Sequence, residues 1–207
     1  MRTLDRVLSR WRIGKAAAWV RPGDRLLDVG SHDGSLMREV RLRVASAVGI
    51  DAMAEPRDDG PAERIVRGAF PDDLDAAPGS FDCITALAVL EHVQDPSAFA
   101  AACFRLLSPA GRVVLTVPHP AVDRIVEGLI ALRLADGMDF EEHHGFEVNR
   151  TIRLFEQAGF QTVARRPFQL GLNHLFVFAK PVPEPNLGMR VPRLPEGSPI
   201  LRSGDRS

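Results

Sequence analysis

Residues 25–36 read RLLDVGSHDGSL: an aliphatic run, an aspartate, then glycines at 30 and 34. A short, fully apolar run of this kind fits a strand buried on both faces of a parallel sheet. The turn after it must pass into a helix opening near Ser35, whose first N–H groups have no intrahelical partners. A glycine at such a turn serves one of two ends. It lets the chain take a positive φ, or it lets a ligand lie directly against the backbone.

The rest of the chain repeats the alternation. Apolar spacing over residues 4–20 predicts a helix interrupted at Gly14, and RPGD at 21–24 predicts a turn. A helix is expected from Ser35 to about Arg43, and ASAVGID gives a second strand ending in Asp51. RIVRGAF at 64–70 gives a third strand, and a fourth opens SFDCITALAVL at 80–90. Asp95 and Pro96 are placed as N-cap and first residue of a helix that SPAG stops. GRVVLTVP is a fifth strand, residues 121–135 look helical, and the helix over 147–158 ends at Gly159. Strands near 160–167 and 174–180 complete the set. Strands alternating with helices predict an open α/β, Rossmann-like domain: a mostly parallel seven-stranded sheet with helices on both faces. In such sheets ligands bind beyond the carboxyl ends of the strands. Gly30, Asp51, Gly68 and Leu87 would all lie at that edge.

Asp51 follows Gly30 by 21 residues. A carboxylate at the end of the neighbouring strand can accept hydrogen bonds from both hydroxyls of a ribose, so the pair describes a nucleoside cofactor site. Nicotinamide dinucleotides and S-adenosylmethionine share that ribose, and the pair alone does not choose. A nicotinamide oxidoreductase would carry G-x-G-x-x-G, which GSHDG does not supply.

LLDVGSHDGSL, VGIDAM, FDCITALAVLEHVQDP and LLSPAGRVVLTVP, in this order and spacing, resemble class I S-adenosylmethionine-dependent methyltransferases. The branch they are most similar to is type-11, or ubiquinone-biosynthesis O-methyltransferase-like. The resemblance covers residues 24–118 and extends through LFEQAGF and FVFAK to about 180. It implies transfer of a methyl group by in-line displacement to a small-molecule acceptor, probed most naturally as a hydroxyl or carbon nucleophile. ALAVLEH stands where many amino-methylating enzymes carry N-P-P-Y or D-P-P-Y.

The resemblance also implies residue roles. Asp28, Gly30 and Gly34, with Ser31 and His32 between them, match the loop that holds the methionine part of the cofactor. Asp51 matches the ribose-binding acid, with Ala52 beside it. Gly68, Ala69 and Phe70 border the adenine, and Leu87, Ala88 and Val89 flank the cofactor. Glu91, His92 and Val93 match the segment that opens the reaction cleft. Two positions depart from the pattern. His32 replaces the middle glycine of the loop, which strains the backbone if φ there is positive. Ala69 replaces an aspartate that would bond the adenine amino group. A non-catalytic scaffold on the same fold is the alternative; it gains weight if these two residues block the cleft, and it predicts an unfilled or occluded cofactor cleft and a partner-dependent role for the proline-rich tail.

Candidate bases are His92, just past the fourth strand, and His143 and His144 in the polar loop DFEEHHGF. His119 in VPHP fits a rigid turn, His174 a structural place in the last strand. Among relatives a helix preceding the loop closes over the cofactor and an arginine meets its carboxylate, which makes Arg12 and Lys15 candidates. Trp11 and Trp19 are expected to pack. Residues 1–180 are expected to form the domain, with 1–20 as a helical cover and 119–146 as a substrate-side insertion, apolar through Ile125, Leu129, Leu132 and Phe140. Residues 181–207, with six prolines, are expected to be extended or disordered, or to dock on a partner subunit in a homodimer.

Composition narrows the partners. Lys plus Arg is 26 and Asp plus Glu 27, so no basic excess favours nucleic acid. Cys83 and Cys103 sit in apolar surroundings and fit no metal or redox spacing, and no metal is expected. No window approaches the roughly 18 apolar residues of a membrane span, and the N-terminus lacks a leader's apolar core. The expectation is a cytoplasmic protein.

Overall fold

The computed structural model describes residues 3–60, 62–118 and 148–183. Helix α1 (Thr3–Ala17) is followed by β1 (Arg25–Val29), α2 (Ser35–Val40) and β2 (Ser46–Asp51). Strands β3 (Arg57–Asp58), β4 (Glu63–Arg67) and β5 (Phe81–Leu87) come next. A single 3-10 turn at Leu90–His92 leads to α3 (Pro96–Leu106) and β6 (Leu107–Pro118). The described chain closes with α4 (Val148–Gln157), β7 (Gln161–Phe168) and β8 (Asn173–Ala179).

The sheet runs β3-β4-β2-β1-β5-β6-β8-β7. It therefore has eight strands where the sequence reading has seven. The addition is β3, two residues paired antiparallel to β4 through Arg57↔Ile65 and Asp58↔Arg64. The β1–β2, β1–β5, β2–β4 and β5–β6 pairs are parallel, and β8 is antiparallel to both β6 and β7. After β1 the chain builds outward through β2 and β4. It then returns to set β5 against the other side of β1. The switch in strand order thus falls between β1 and β5, where the carboxyl ends leave a crevice.

Alternation along the buried strands feeds two cores. Leu27, Ile84, Val113, Leu115, Phe176 and Phe178 pack under α3 and α4 with Phe99, Leu106 and Phe155. Leu26, Cys83, Val114, Leu175 and Val177 face α1 and α2, against Ala16, Val20, Leu36 and Met37. Neighbouring residues on one strand enter opposite cores, as the two-residue period requires. Both cysteines are buried in these cores, and burial pushes the Cys83 thiol up to about 12.

Several boundaries differ from the sequence reading, each for a local reason. Gly14 does not interrupt α1, which runs through it to Ala17. The second helix stops at Val40, and a turn carries the chain through Arg43. The third strand ends at Arg67, because Gly68 turns to donate its N–H to the Asp51 carbonyl at 3.1 Å. SPAG belongs to the start of β6, since Leu107 already pairs with Phe81. Asp95 does cap α3, its carboxylate accepting the Ser97 and Ala98 N–H groups at 2.9 Å each. Gly159 takes φ +98 after α4, the left-handed stop. His174 lies buried on β8. The expected 121–135 helix, the 119–146 insertion with its apolar residues, His119, His143, His144 and nearly all of the proline-rich tail lie outside the described residues.

Candidate active site

Two clefts meet at Gly30 and Leu87, at the carboxyl ends of β1 and β5. The larger, about 710 Å³, is walled by Gly30, Asp51, Ala52, Gly68, Ala69, Phe70, Leu87, Ala88 and His92. The smaller, about 250 Å³, is lined by Asp28, Gly30, Ser31, His32 and Leu87 together with Ser9, Arg12 and Ile13 of α1. The edge named from sequence therefore lines the larger cleft, and Gly30 and Leu87 also border the smaller one. Of the residues singled out for it, Gly34 lies outside both clefts.

The glycines divide by cause. Gly30 has φ +73, and a Cβ there would come within 2.4 Å of a Val89 methyl. Both a left-handed backbone and a close approach require glycine at this position. Gly34 caps α2 at φ +74, with its would-be Cβ 2.9 Å from Ile65 Cδ1. Its left-handed backbone is what requires glycine, since the approach to Ile65 is to the end of a flexible side chain.

His32 adopts φ +48, so the loop does take the left-handed conformation for which a glycine carries no penalty. Its ring turns outward, 74 % exposed. Its backbone N–H is held by Asp51 Oδ2 at 2.9 Å, while Asp51 Oδ1 accepts from Met53 N at 2.7 Å. Asp51 thus ties the two loops together and still borders the larger cleft, each oxygen keeping a second acceptor direction. Ala88, at φ +57, is fixed by its N–H reaching both the carbonyl and the hydroxyl of Thr116. Strained backbone held by neighbours on both sides of the cleft is a pattern associated with function.

Asp28 is 3 % exposed, and burial drives its carboxyl up from 3.8 to about 7. The Thr85 hydroxyl, donating at 2.7 Å, opposes that rise, and the charge of Asp51 adds to it. Arg12 sits across the smaller cleft. Its buried Nε has no hydrogen-bond partner among the described residues. Burial lowers its pKa, with Glu91 acting in the opposite sense. The Ser31 hydroxyl is likewise buried and unpartnered. Two orphaned polar groups facing one recess are what a polar ligand would satisfy.

Ala69 contributes no carboxylate. Its N–H is taken by Asp73 Oδ2 at 2.8 Å. Phe70 packs edge-on against Phe99 with centroids 5.1 Å apart, giving the larger cleft an aromatic wall. His92 ends the 3-10 turn and lines the same cleft with Val93. Lys15 does not join Arg12: it lines a separate groove with Trp11 and Trp19. Ser9 and Ile13, not singled out from sequence, share Arg12's cleft; their 9-12-13 spacing on one helical face was the available signal.

A glycine turn leaving the first strand, with a carboxylate on its neighbour at the switch point, defines a Rossmann-like, nucleoside-cofactor type of domain. A family profile described as a methyltransferase domain matches residues 2–165. The ubiquinone biosynthesis O-methyltransferase of Dechloromonas aromatica (strain RCB) is 35 % identical over 102 residues, 45 % of this chain and 44 % of that protein. Its namesake from Pseudomonas aeruginosa (strain LESB58) is 34 % identical over the same shares. The chain spans less than half the length of these curated relatives. An S-adenosylmethionine-dependent methyltransferase structure from Methanosarcina mazei superposes with a TM-score of 0.60 at 18 % identity, covering 80 % of this chain and 96 % of that one, a likeness of fold. The chain belongs to the class I S-adenosylmethionine-dependent methyltransferases. That membership decides between the two ribose-bearing cofactors in favour of S-adenosylmethionine.

Proposed function

We propose that this chain transfers the methyl group of S-adenosylmethionine by in-line displacement to a small-molecule acceptor, a hydroxyl or a carbon nucleophile. The observation that carries the reading is the pair of joined clefts: a small one with a buried, unpartnered guanidinium nitrogen, and a large one bordered by Asp51 and an aromatic wall. The residues fit the cofactor. Arg12 and Ser31 would hold its carboxylate and amine end, with Asp28 beneath. Asp51 would take the ribose hydroxyls. Gly68, Ala69 and Phe70 would border the adenine, whose amino group loses the acceptor that an aspartate at 69 would give. Bound there, S-adenosylmethionine supplies an activated methyl group on a sulfonium.

The chain's own contribution is alignment. Holding two reactants close and in line is worth up to about 7–11 kcal/mol of barrier. Backbone fixed at Gly30, His32 and Ala88 suits that task. His92 is the described candidate for general base, a role worth roughly 10²- to 10⁴-fold if the acceptor is a hydroxyl. His143 and His144 are further candidates. The scaffold alternative would gain weight if His32 and Ala69 blocked the cleft; the outward ring of His32 supports catalysis instead. The relatives' printed name, ubiquinone biosynthesis O-methyltransferase, supports a phenolic hydroxyl as the first acceptor to try. The test is incubation with methyl-labelled S-adenosylmethionine and a panel of phenols, enols and amines. Label in a phenol or enol supports the proposal. Label only in amines, or in none with cofactor bound, overturns it.

A further inference from the structure

Helix α1 is held differently at its two ends. Toward its C-terminus Ala16 and Ala17 are buried in one of the two cores. Toward its N-terminus Val7 is 55 % exposed and Trp11 45 %, with Trp11 meeting Phe168 edge-on at 6.4 Å. This less buried end carries Ser9 and Arg12, which line the smaller cleft. Arg12 has to keep a buried guanidinium in place there, its Nε unpartnered among the described residues.

A buried polar pair from the other end of the domain reaches the same turn of α1. At the tip of the β7–β8 hairpin Gln169, Leu170 and Gly171 take φ +51, +58 and +85 in succession. The run leaves Leu170 exposed and turns Gln169 back inside, where it is 5 % exposed. The Gln169 amide NH2 donates to the Leu8 carbonyl at 2.9 Å. Asn173, itself buried at the start of β8, donates to Gln169 Oε1 at 2.5 Å. That second bond orients the amide, leaving its NH2 to face a carbonyl that can only accept. In an α-helix the same Leu8 carbonyl receives the N–H of Arg12, four residues on. Gln169 therefore grips the peptide group on which Arg12 is built, one residue from Ser9.

We propose that Gln169, oriented by Asn173, is a positioning residue for the amino-acid end of the cofactor: it fixes the place and rotation of the N-terminal turns of α1, and through them the reach of Arg12. The proposal rests on the reading of Arg12 as the partner of the cofactor's carboxylate. A guanidinium already held in its bound position gives up less freedom on binding, which is what preorganisation contributes. A hydrogen bond suits this role because it is directional, and a helix that slides or rotates loses it. Two consecutive non-glycine residues in the left-handed region are strain that the hairpin carries in placing one side chain, a pattern associated with function. The larger cleft, where the adenosine end is assigned, has no residue of α1 or of this hairpin among the described residues of its wall. The effect of Gln169 is thereby confined to the carboxylate end.

The experiment is calorimetry of the whole chain with S-adenosylhomocysteine and, in parallel, with methylthioadenosine, which lacks the amino-acid end. Gln169→Met, similar in length but without a donor, is expected to weaken S-adenosylhomocysteine about 3- to 10-fold, the worth of one neutral hydrogen bond, and to leave methylthioadenosine unchanged. Gln169→Asn withdraws the amide by one methylene. Asparagine tolerates the left-handed backbone of this position better, so the variant is expected to keep the fold and show the same selective loss. In an Arg12→Ala background neither substitution should weaken S-adenosylhomocysteine further, because the two residues act on one contact. Circular dichroism reports the fold of each variant. Equal loss of both ligands would give Gln169 a structural role alone and overturn the proposal. So would losses that add to that of Arg12→Ala. If Arg12→Ala weakens S-adenosylhomocysteine and the Gln169 variants do not, the proposal fails by itself. If Arg12→Ala leaves that affinity unchanged, the reading of Arg12 fails and the proposal with it.

Discussion

Replacing Asp28 by asparagine should stabilise the protein at alkaline pH and leave it little changed in acid. The carboxyl is fully buried, and desolvation lifts it from 3.8 to about 7 despite the hydroxyl donated by Thr85. Between those values the folded chain holds a proton that the unfolded chain has released. Stability therefore falls as pH rises through this window, because the folded state binds more protons. A displacement of about three pKa units at about 1.36 kcal/mol each amounts to about 4 kcal/mol over the full span. About 3 kcal/mol of it falls between pH 5 and pH 8. Asparagine keeps the oxygen that accepts from Thr85 and never ionises. The unfolding free energy of Asp28→Asn minus that of the wild type should rise by about 3 kcal/mol from pH 5 to pH 8. Urea titration followed by fluorescence reads this directly, since the emission comes from Trp11 and Trp19 with no tyrosine in the chain. A difference that does not move with pH, or that grows toward acid, would refute the argument.

Three further outcomes follow from the same geometry. With the ligand's ammonium group beside Asp28, S-adenosylhomocysteine binding near pH 6 should release close to one proton, seen as a binding enthalpy that varies with buffer ionisation heat. Gly30→Ala should cost about 2–4 kcal/mol in urea denaturation, from a left-handed alanine and a methyl against Val89, and should weaken S-adenosylhomocysteine binding in the same preparation. Arg12→Ala should weaken S-adenosylhomocysteine about 10- to 100-fold, the worth of a charged hydrogen bond, while leaving methylthioadenosine, which has no carboxylate, unchanged in calorimetry.

What the sequence revealed was whatever short-range chemistry dictates. Asp95 and Pro96 announce α3 because a cap and a fixed φ act within one turn. Gly159 stops α4 for the same reason. The loop at 30 and the acid at 51 were legible as a pair because a parallel strand and its neighbour must bring their ends together. What stayed hidden depends on partners distant in the chain. Nothing in PRDD marks β3, whose strand character comes from Ile65 and Arg64 across a turn at Gly60. Gly34 reads as a cofactor residue, but its left-handed φ at the start of α2 already requires glycine there. Arg12 and Lys15 are equivalent by spacing alone, but on the folded helix one faces the cleft and the other the tryptophans. The backbone demand on Asp51 was invisible too, because it arises only once His32 takes its left-handed turn.

The most direct test is a calorimetric titration of the folded wild-type chain with S-adenosylhomocysteine. Occupation of the joined clefts predicts one site per chain with micromolar affinity, near −8 kcal/mol at about 1 μM. Absence of heat from a chain that circular dichroism reports as folded would contradict it.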